Sequence, residues 1–284
     1  MSYGRMTVGV LVALSVAVPT FAQGRGGSHR PTPPSQSALP QSNATVPATS
    51  GAVPFAWIDD ASMLDAGTVA LAVSAFHWQG TNVSELDAPA ISVSVGATSH
   101  LQIGASIPHV VDSSDTGGPV GGLGTTYISG KIGVLTGDTV KLAVAPTLQV
   151  LGEGALTSFA PGQRRAQFGV PVSIEGDSGI VRVFASGGGF SPGIWFAGGG
   201  IGVQATSQVS VSASFSRAWS TASTSTLTTN SRQELSGTIG YSPTSQVSLF
   251  ASIGHTINTT DDNGAGITVS GGVVFVIAPK SGNP

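Results

Sequence analysis

Along residues 208–219, QVSVSASFSRAW, side chains alternate with a period of two: Val209, Val211, Ala213 and Phe215 on one face, Ser210, Ser212, Ser214 and Ser216 on the other. Successive strand residues point to opposite faces, so the stretch predicts a β-strand with one apolar and one hydroxylated side. The pattern returns in SQVSLFAS at 245–252, against SQVSVSAS at 207–214, so one kind of strand is used repeatedly. Such strands each need a partner on both edges. Closure into a barrel with its apolar side facing lipid meets that need.

About twelve runs of this kind follow Phe55, at residues 67–79, 89–97, 101–109, 123–135, 140–151, 164–175, 179–190, 193–204, 208–219, 231–241, 246–256 and 265–277. Each is close to the roughly 9 to 11 residues that a tilted strand needs to cross a bilayer. Their connections alternate. Residues 98–100, 136–139, 176–178, 205–207 and 242–245 read as tight turns, built from residues that tolerate turn geometry. Longer polar connections are expected at 80–88, 110–122, 152–163, 220–230 and 257–264, with a short one near Ser191-Pro192. Short turns at one end and long loops at the other are the habit of outer-membrane barrels. An even strand count places both termini at the short-turn, periplasmic end.

Parity assigns the faces. Between 140 and 150, Val140, Leu142, Val144, Pro146, Leu148 and Val150 point outward, leaving Lys141, Ala143, Ala145, Thr147 and Gln149 inside. In the last run Ile267, Val269, Val273, Phe275 and Ile277 are outward, and Thr268 and Ser270 inward. The expected interior is polar and made of small side chains. A soluble barrel would reverse this, with apolar side chains inside and charged ones outside.

Composition strengthens the reading. Only 9% of residues are charged, against roughly a quarter in soluble domains. The chain has 40 Gly and few of the residues that favour helices. A net charge of -3 gives no electrostatic reason to expect nucleic acid. Without cysteine, disulfides and thiolate metal sites are excluded.

Two segments precede the runs. Residues 1–22 carry Arg5, an apolar TVGVLVALSVAVPTF and small residues before a cleavage point after Ala22, the features of a secretory signal peptide. A membrane anchor is the alternative, but this apolar stretch, interrupted by Pro19, is short for a span. Residues 23–54 are rich in Pro, Ser, Thr, Gly and Asn without apolar periodicity, which predicts a disordered periplasmic tether. The barrel is expected to occupy 55–284.

The final run, Ser270-Gly271-Gly272-Val273-Val274-Phe275-Val276-Ile277, resembles the polar-x-Gly-x-x-hydrophobic-x-hydrophobic assembly signal of bacterial outer-membrane barrels. Ser270, Gly272, Phe275 and Ile277 occupy its defining positions, and the resemblance implies insertion by the barrel assembly machinery. A tail, residues 278–284, follows where an aromatic residue would usually end the chain. The stretches FAWIDDASMLDAGTVALAVSAF and PAISVSVGATSHLQIGASIPHV, within residues 55–110, resemble the start of outer-membrane barrels of the phenol-degradation (MetA-pathway) transporter type. That resemblance implies a channel-like role and supplies no catalytic residue.

Enzymatic motifs are weak. Gly176-Asp177-Ser178-Gly179 matches the nucleophile neighbourhood of trypsin-like proteases, but it reads as a hairpin turn, and no matching histidine motif accompanies it. GGPVGGLGTTYISGK has the wrong spacing to Lys131 for a phosphate loop. Gly198 to Gly202 lacks the strand-then-helix setting of a dinucleotide site, and close packing or strand bending is the simpler role. His29, His77, His100, His109 and His255 lack metal-ligand spacing. Asp261-Asp262-Asn263-Gly264 lacks the length and terminal Glu of a calcium loop. A barrel phospholipase would need a Ser and His pair, for which there is no local motif. No catalytic residue, cofactor or metal is expected.

Charge inside the barrel carries the remaining functional reading. Parity places Lys131, Lys141, Arg165, Arg182 and Arg232 inward against Glu175 and Glu234. A basic excess would favour anions in an aqueous pore. Alternatively Arg232 with Glu234, and Arg182 with Glu175, brace the wall as pairs. The expected function is passive passage of small solutes through a polar lumen. A non-transporting surface or structural barrel that binds an extracellular partner through its long loops is the alternative, and a secreted soluble β protein ranks third.

Overall fold

In a computed structural model, the described residues are 60–279, apart from 82–83, 116–117, 120, 151, 153–165, 192, 222–230 and 261–263. The signal peptide and the tether expected at 1–54 lie outside them, as does Arg165.

Sixteen strand segments form one sheet, and the sheet closes on itself as an antiparallel barrel of twelve strands. In chain order the segments are β1 (Val69–Gln79), β2 (Ser84–Thr98), β3 (Leu101–Asp115), β4 (Gly118–Pro119), β5 (Gly122–Leu123), β6 (Thr126–Thr136), β7 (Val140–Val144), β8 (Thr147–Val150), β9 (Ala166–Gly169) and β10 (Val172–Ser178). They continue with β11 (Val181–Phe190), β12 (Ile194–Gln204), β13 (Val209–Ser220), β14 (Ser231–Tyr241), β15 (Val247–Thr259) and β16 (Ile267–Ile277). The short β4 and β5 pair with β3. β7 with β8 makes one strand of the wall, and β9 with β10 another. Both breaks fall at proline, Ala145-Pro146 and Val170-Pro171, because proline has no N–H for the ladder. Bonds from Gly130 N to Pro146 O (3.0 Å) and Ala145 N to Pro171 O (2.8 Å) carry the wall across the gap. Closure is made by β1 and β16, in register from Val69 opposite Ile277 to Gln79 opposite Ile267.

The faces are inverted relative to a soluble protein. Ile103, Ile107, Val183, Ile239, Ile253 and Val269 are exposed, whereas Ser92, Ser106, Ser173, Ser210, Ser248, Thr256 and Thr268 are buried. An apolar surface running round the whole wall far exceeds the few hundred Å² that water tolerates on a monomer, so lipid is its solvent. Among the described residues no helix is long and apolar enough to cross a membrane; crossing by strands is a separate matter.

Twelve runs become twelve strands, but three details differ. The connection expected at 80–88 shrinks to residues 80–83, because β2 starts at Ser84 and alternates a buried Glu85 and Asp87 with less buried neighbours. Its charges made this extension look like a loop. Likewise β3 runs on to Asp115, into the connection expected at 110–122. The turn expected at Gly176-Asp177-Ser178 lies one step later, since Ser178 pairs with Val181 and the hairpin bends at Gly179 and Ile180. Gly179 has φ +64, a left-handed conformation that glycine adopts without a Cβ penalty.

The interior is also less uniformly small than expected. Tyr127, Phe184, Phe190 and Phe196 are buried together with Ala218, and the Phe190 and Phe196 rings lie 6.2 Å apart. Glycines make room for them. A Cβ on Gly169 would sit 2.3 Å from the Phe190 ring, and one on Gly200 would sit 2.7 Å from Phe184. The glycine run in β12 is therefore a packing device.

Candidate functional site: the interior of the barrel

The residues before β1 do not hang free below the barrel. Asp60, Ala61 and Leu64 are buried, and this segment lies inside the short-turn end of the wall. The chain leaves it through Gly67, whose φ of +81 permits the bend into β1, with Gly67 N donating to Gly96 O (2.7 Å). The Leu64 amide donates to Gln102 Oε1 (3.0 Å).

Charged side chains hold the segment. Arg182 Nη1 donates to Asp60 Oδ2 at 3.0 Å, and Lys131 Nζ lies 3.4 Å from Asp60 Oδ1. Lys131 Nζ and Ser173 Oγ also donate to the Asp60 carbonyl, at 2.6 and 3.0 Å. Ser62 Oγ donates to Glu175 Oε1 at 2.6 Å. Lys141 Nζ in turn reaches Glu175 Oε1 (2.9 Å), Asp177 Oδ2 (2.8 Å) and Ser62 Oγ (3.1 Å). Arg182 lies 3.8 Å from Glu175 and 5.2 Å from the centre of the Phe184 ring. Desolvating these charges is costly, and only mutual pairing at short range compensates it. Three bases and three acids therefore form one network, and their equal number follows from that cost.

A second polar group lies at the long-loop end. The Arg232 guanidinium sits 5.4 Å from the ring centre of Trp78. It donates to Thr256 Oγ1 (3.0 Å) and Gly264 O (3.1 Å), and lies 3.8 Å from Glu234. Glu85 and Asp87 are buried on the same end of the wall, opposite Trp78 and Phe76.

Of the seven residues that parity assigned to the lumen, Lys131, Glu175, Arg182, Arg232 and Glu234 are buried and Lys141 is half-buried. What parity missed are the acids: Asp60 ahead of the first strand, Asp177 taken for a turn, and Glu85 and Asp87 taken for a loop. With these included, the described interior holds Lys131, Lys141, Arg182 and Arg232 against Asp60, Glu85, Asp87, Glu175, Asp177 and Glu234, four basic side chains to six acidic ones. The expected basic excess is absent among the described residues.

Hydroxyl pairs join neighbouring strands elsewhere: Ser92 with Ser106 (3.1 Å), Ser214 with Ser236 (2.6 Å) and Ser252 with Ser270 (2.5 Å). Between β12 and β14 the inward positions Gly198, Gly200, Ser212, Ser214 and Thr238 are only half-buried. In the last strand Ser270 faces inward, Gly272 is half-buried beside Ser74, and Phe275 and Ile277 face outward. Among the described residues no group of three or more His, Asp or Glu could hold a metal ion. Asp177 of the protease-like motif is bound to Lys141, and His77, His109 and His255 are exposed on the outer face.

A closed antiparallel barrel with lipid-compatible exterior and hydroxyl-lined interior is the architecture of bacterial outer-membrane barrels. Comparison of folds agrees. The chain is similar to the COG4313 outer membrane channel from Pseudomonas putida F1, with TM-score 0.61 and 12% identity over 77% of this chain and 98% of that one. It is also similar to the NanC porin (TM-score 0.53, 11% identity, 72% of this chain and 98% of that one). A third similar structure is the KdgM porin in complex with disordered oligogalacturonate (TM-score 0.51, 7% identity, 73% and 99%). No protein-family model and no curated protein matches the sequence.

Proposed function

We propose that the protein is an outer-membrane channel through which small solutes pass passively. The observation that carries this is the inverted barrel itself, which puts hydroxyls and paired charges where only water or solute can solvate them. The route runs along the half-buried wall of β12 to β14, past Gly198, Ser212, Ser214 and Thr238, while the segment at Asp60 covers the adjoining stretch of wall made by β6, β7, β10 and β11. KdgM holds an oligogalacturonate, a polyanion. An interior in which acidic side chains outnumber basic ones suits uncharged or cationic solutes instead. Residues 1–22 act as a cleaved signal peptide, 23–54 as a periplasmic tether, and both termini lie on the periplasmic side. Ser270, Gly272, Phe275 and Ile277 present the assembly signal to the barrel assembly machinery.

Single-channel recording of the purified protein in planar bilayers tests this. Discrete conductance steps are expected, reduced by Ser212→Trp or Ser214→Trp, which would place an indole in the route. Absence of conductance, or steps indifferent to both substitutions, would refute the route.

A further inference from the structure

Asp87 is 0% exposed, and no donor group reaches either of its carboxylate oxygens; its side chain meets the Glu85 carboxyl instead. Its neighbours across the ladder are Phe76 on β1 and Val110 on β3, both buried and apolar, so the adjoining strands offer it no donor. Every other buried acid of the interior with a partner described above has a base or a hydroxyl on it. Glu85 lies two residues away on the same face of β2, itself buried, opposite Trp78. Two buried carboxyl groups that face each other, one of them with no donor on it, form an incomplete set of oxygen ligands. Leaving a carboxylate desolvated and unpaired is costly, and a hard cation is the partner that two carboxylates accept.

We propose that Glu85 and Asp87 form a cation-binding site at the long-loop end of the barrel, taking a hard, oxygen-seeking ion such as Ca2+. If the barrel conducts, a consequence that rests on the channel reading above, this site gives the passage a preference for monovalent cations that bound Ca2+ removes. Arg232 is held at Thr256 and Gly264, and the acid beside it, at 3.8 Å, is Glu234.

Terbium is a suitable probe, because it occupies calcium sites and emits when an adjacent indole is excited. Trp78, in register with Glu85, is positioned to sensitise it. The folded, detergent-solubilised protein should show saturable terbium emission on tryptophan excitation, competed by Ca2+. Asp87→Asn, nearly the same shape, should weaken terbium affinity at least tenfold, and the double variant Glu85→Gln with Asp87→Asn should abolish emission. Trp78→Phe should remove the sensitised emission. Heat-modifiable gel mobility checks that each variant is folded, and Asp87→Asn alone decides the matter if the double variant is not. No emission from the unaltered protein, or emission unchanged in Asp87→Asn, overturns the proposal. Reversal potentials in a KCl gradient supply the second readout: cation preference, moved toward zero by Asp87→Asn, is expected. Anion preference overturns the selectivity consequence. Intact terbium binding in a barrel that never conducts overturns the channel reading and leaves the site standing.

Discussion

Replacing Asp60 by Ala separates the inner segment from the wall without touching a strand. The substitution deletes the 3.0 Å bond from Arg182 and the 3.4 Å contact with Lys131, and leaves the bonds from Lys131 and Ser173 to the Asp60 carbonyl. A hydrogen bond between charged groups contributes about 1.5 to 3 kcal/mol, and the longer contact adds little. Breaking a buried ion pair from one side costs about 3 to 5 kcal/mol, but here the freed Arg182 and Lys131 can be rehydrated once the segment lifts. Roughly 2 kcal/mol is left, which raises the undocked fraction about 30-fold. Hydrogen exchange of peptides covering residues 60–66 should accelerate by that order, while urea unfolding of the barrel stays unchanged. Single-channel conductance should rise, and the reversal potential should move toward anions because two bases lose their acid. Unchanged exchange together with unchanged conductance would refute the reasoning that this ion network holds the segment in place.

Lipid contact is tested by Val211→Arg, which puts a charge on the exposed outward face and should cost about 2 to 4 kcal/mol in urea unfolding if it lies near the bilayer midplane. Ser212→Arg, pointing inward, should be far milder. Gly169→Ala drives a methyl to within 2.3 Å of the Phe190 ring and should destabilise by about 1 to 3 kcal/mol, whereas Gly130→Ala, with nothing within 4 Å of its Cβ, should be neutral in the same assay. The double variant Lys141→Gln with Arg182→Gln leaves Asp60, Glu175 and Asp177 without their main cations, so its reversal potential should move toward cations; a shift toward anions would contradict the ion pairs.

Strand number, barrel closure and the direction of side chains within the twelve runs were legible in the sequence because all three follow from a period of two. A residue such as Val211 or Ser212 needs only its immediate neighbours to declare a face, and lipid enforces that declaration at every step round the wall. The twelve apolar-polar runs therefore predicted the fold even though no family model matches. Parity also placed Lys131, Glu175, Arg182 and Arg232 on the inner side. It could not tell what they would meet. Asp60 and Arg182 are 122 positions apart, and their pairing exists only because closure brings the segment ahead of β1 beneath the β10–β11 hairpin. Glu85 and Asp87 were missed for a related reason: charges normally mark a loop, and only the neighbouring strands β1 and β3 show that β2 extends through them. Alternation is a local property that the chain carries by itself, whereas charge compensation in a closed interior is decided between residues far apart, so the sign of the interior waited for the tertiary structure.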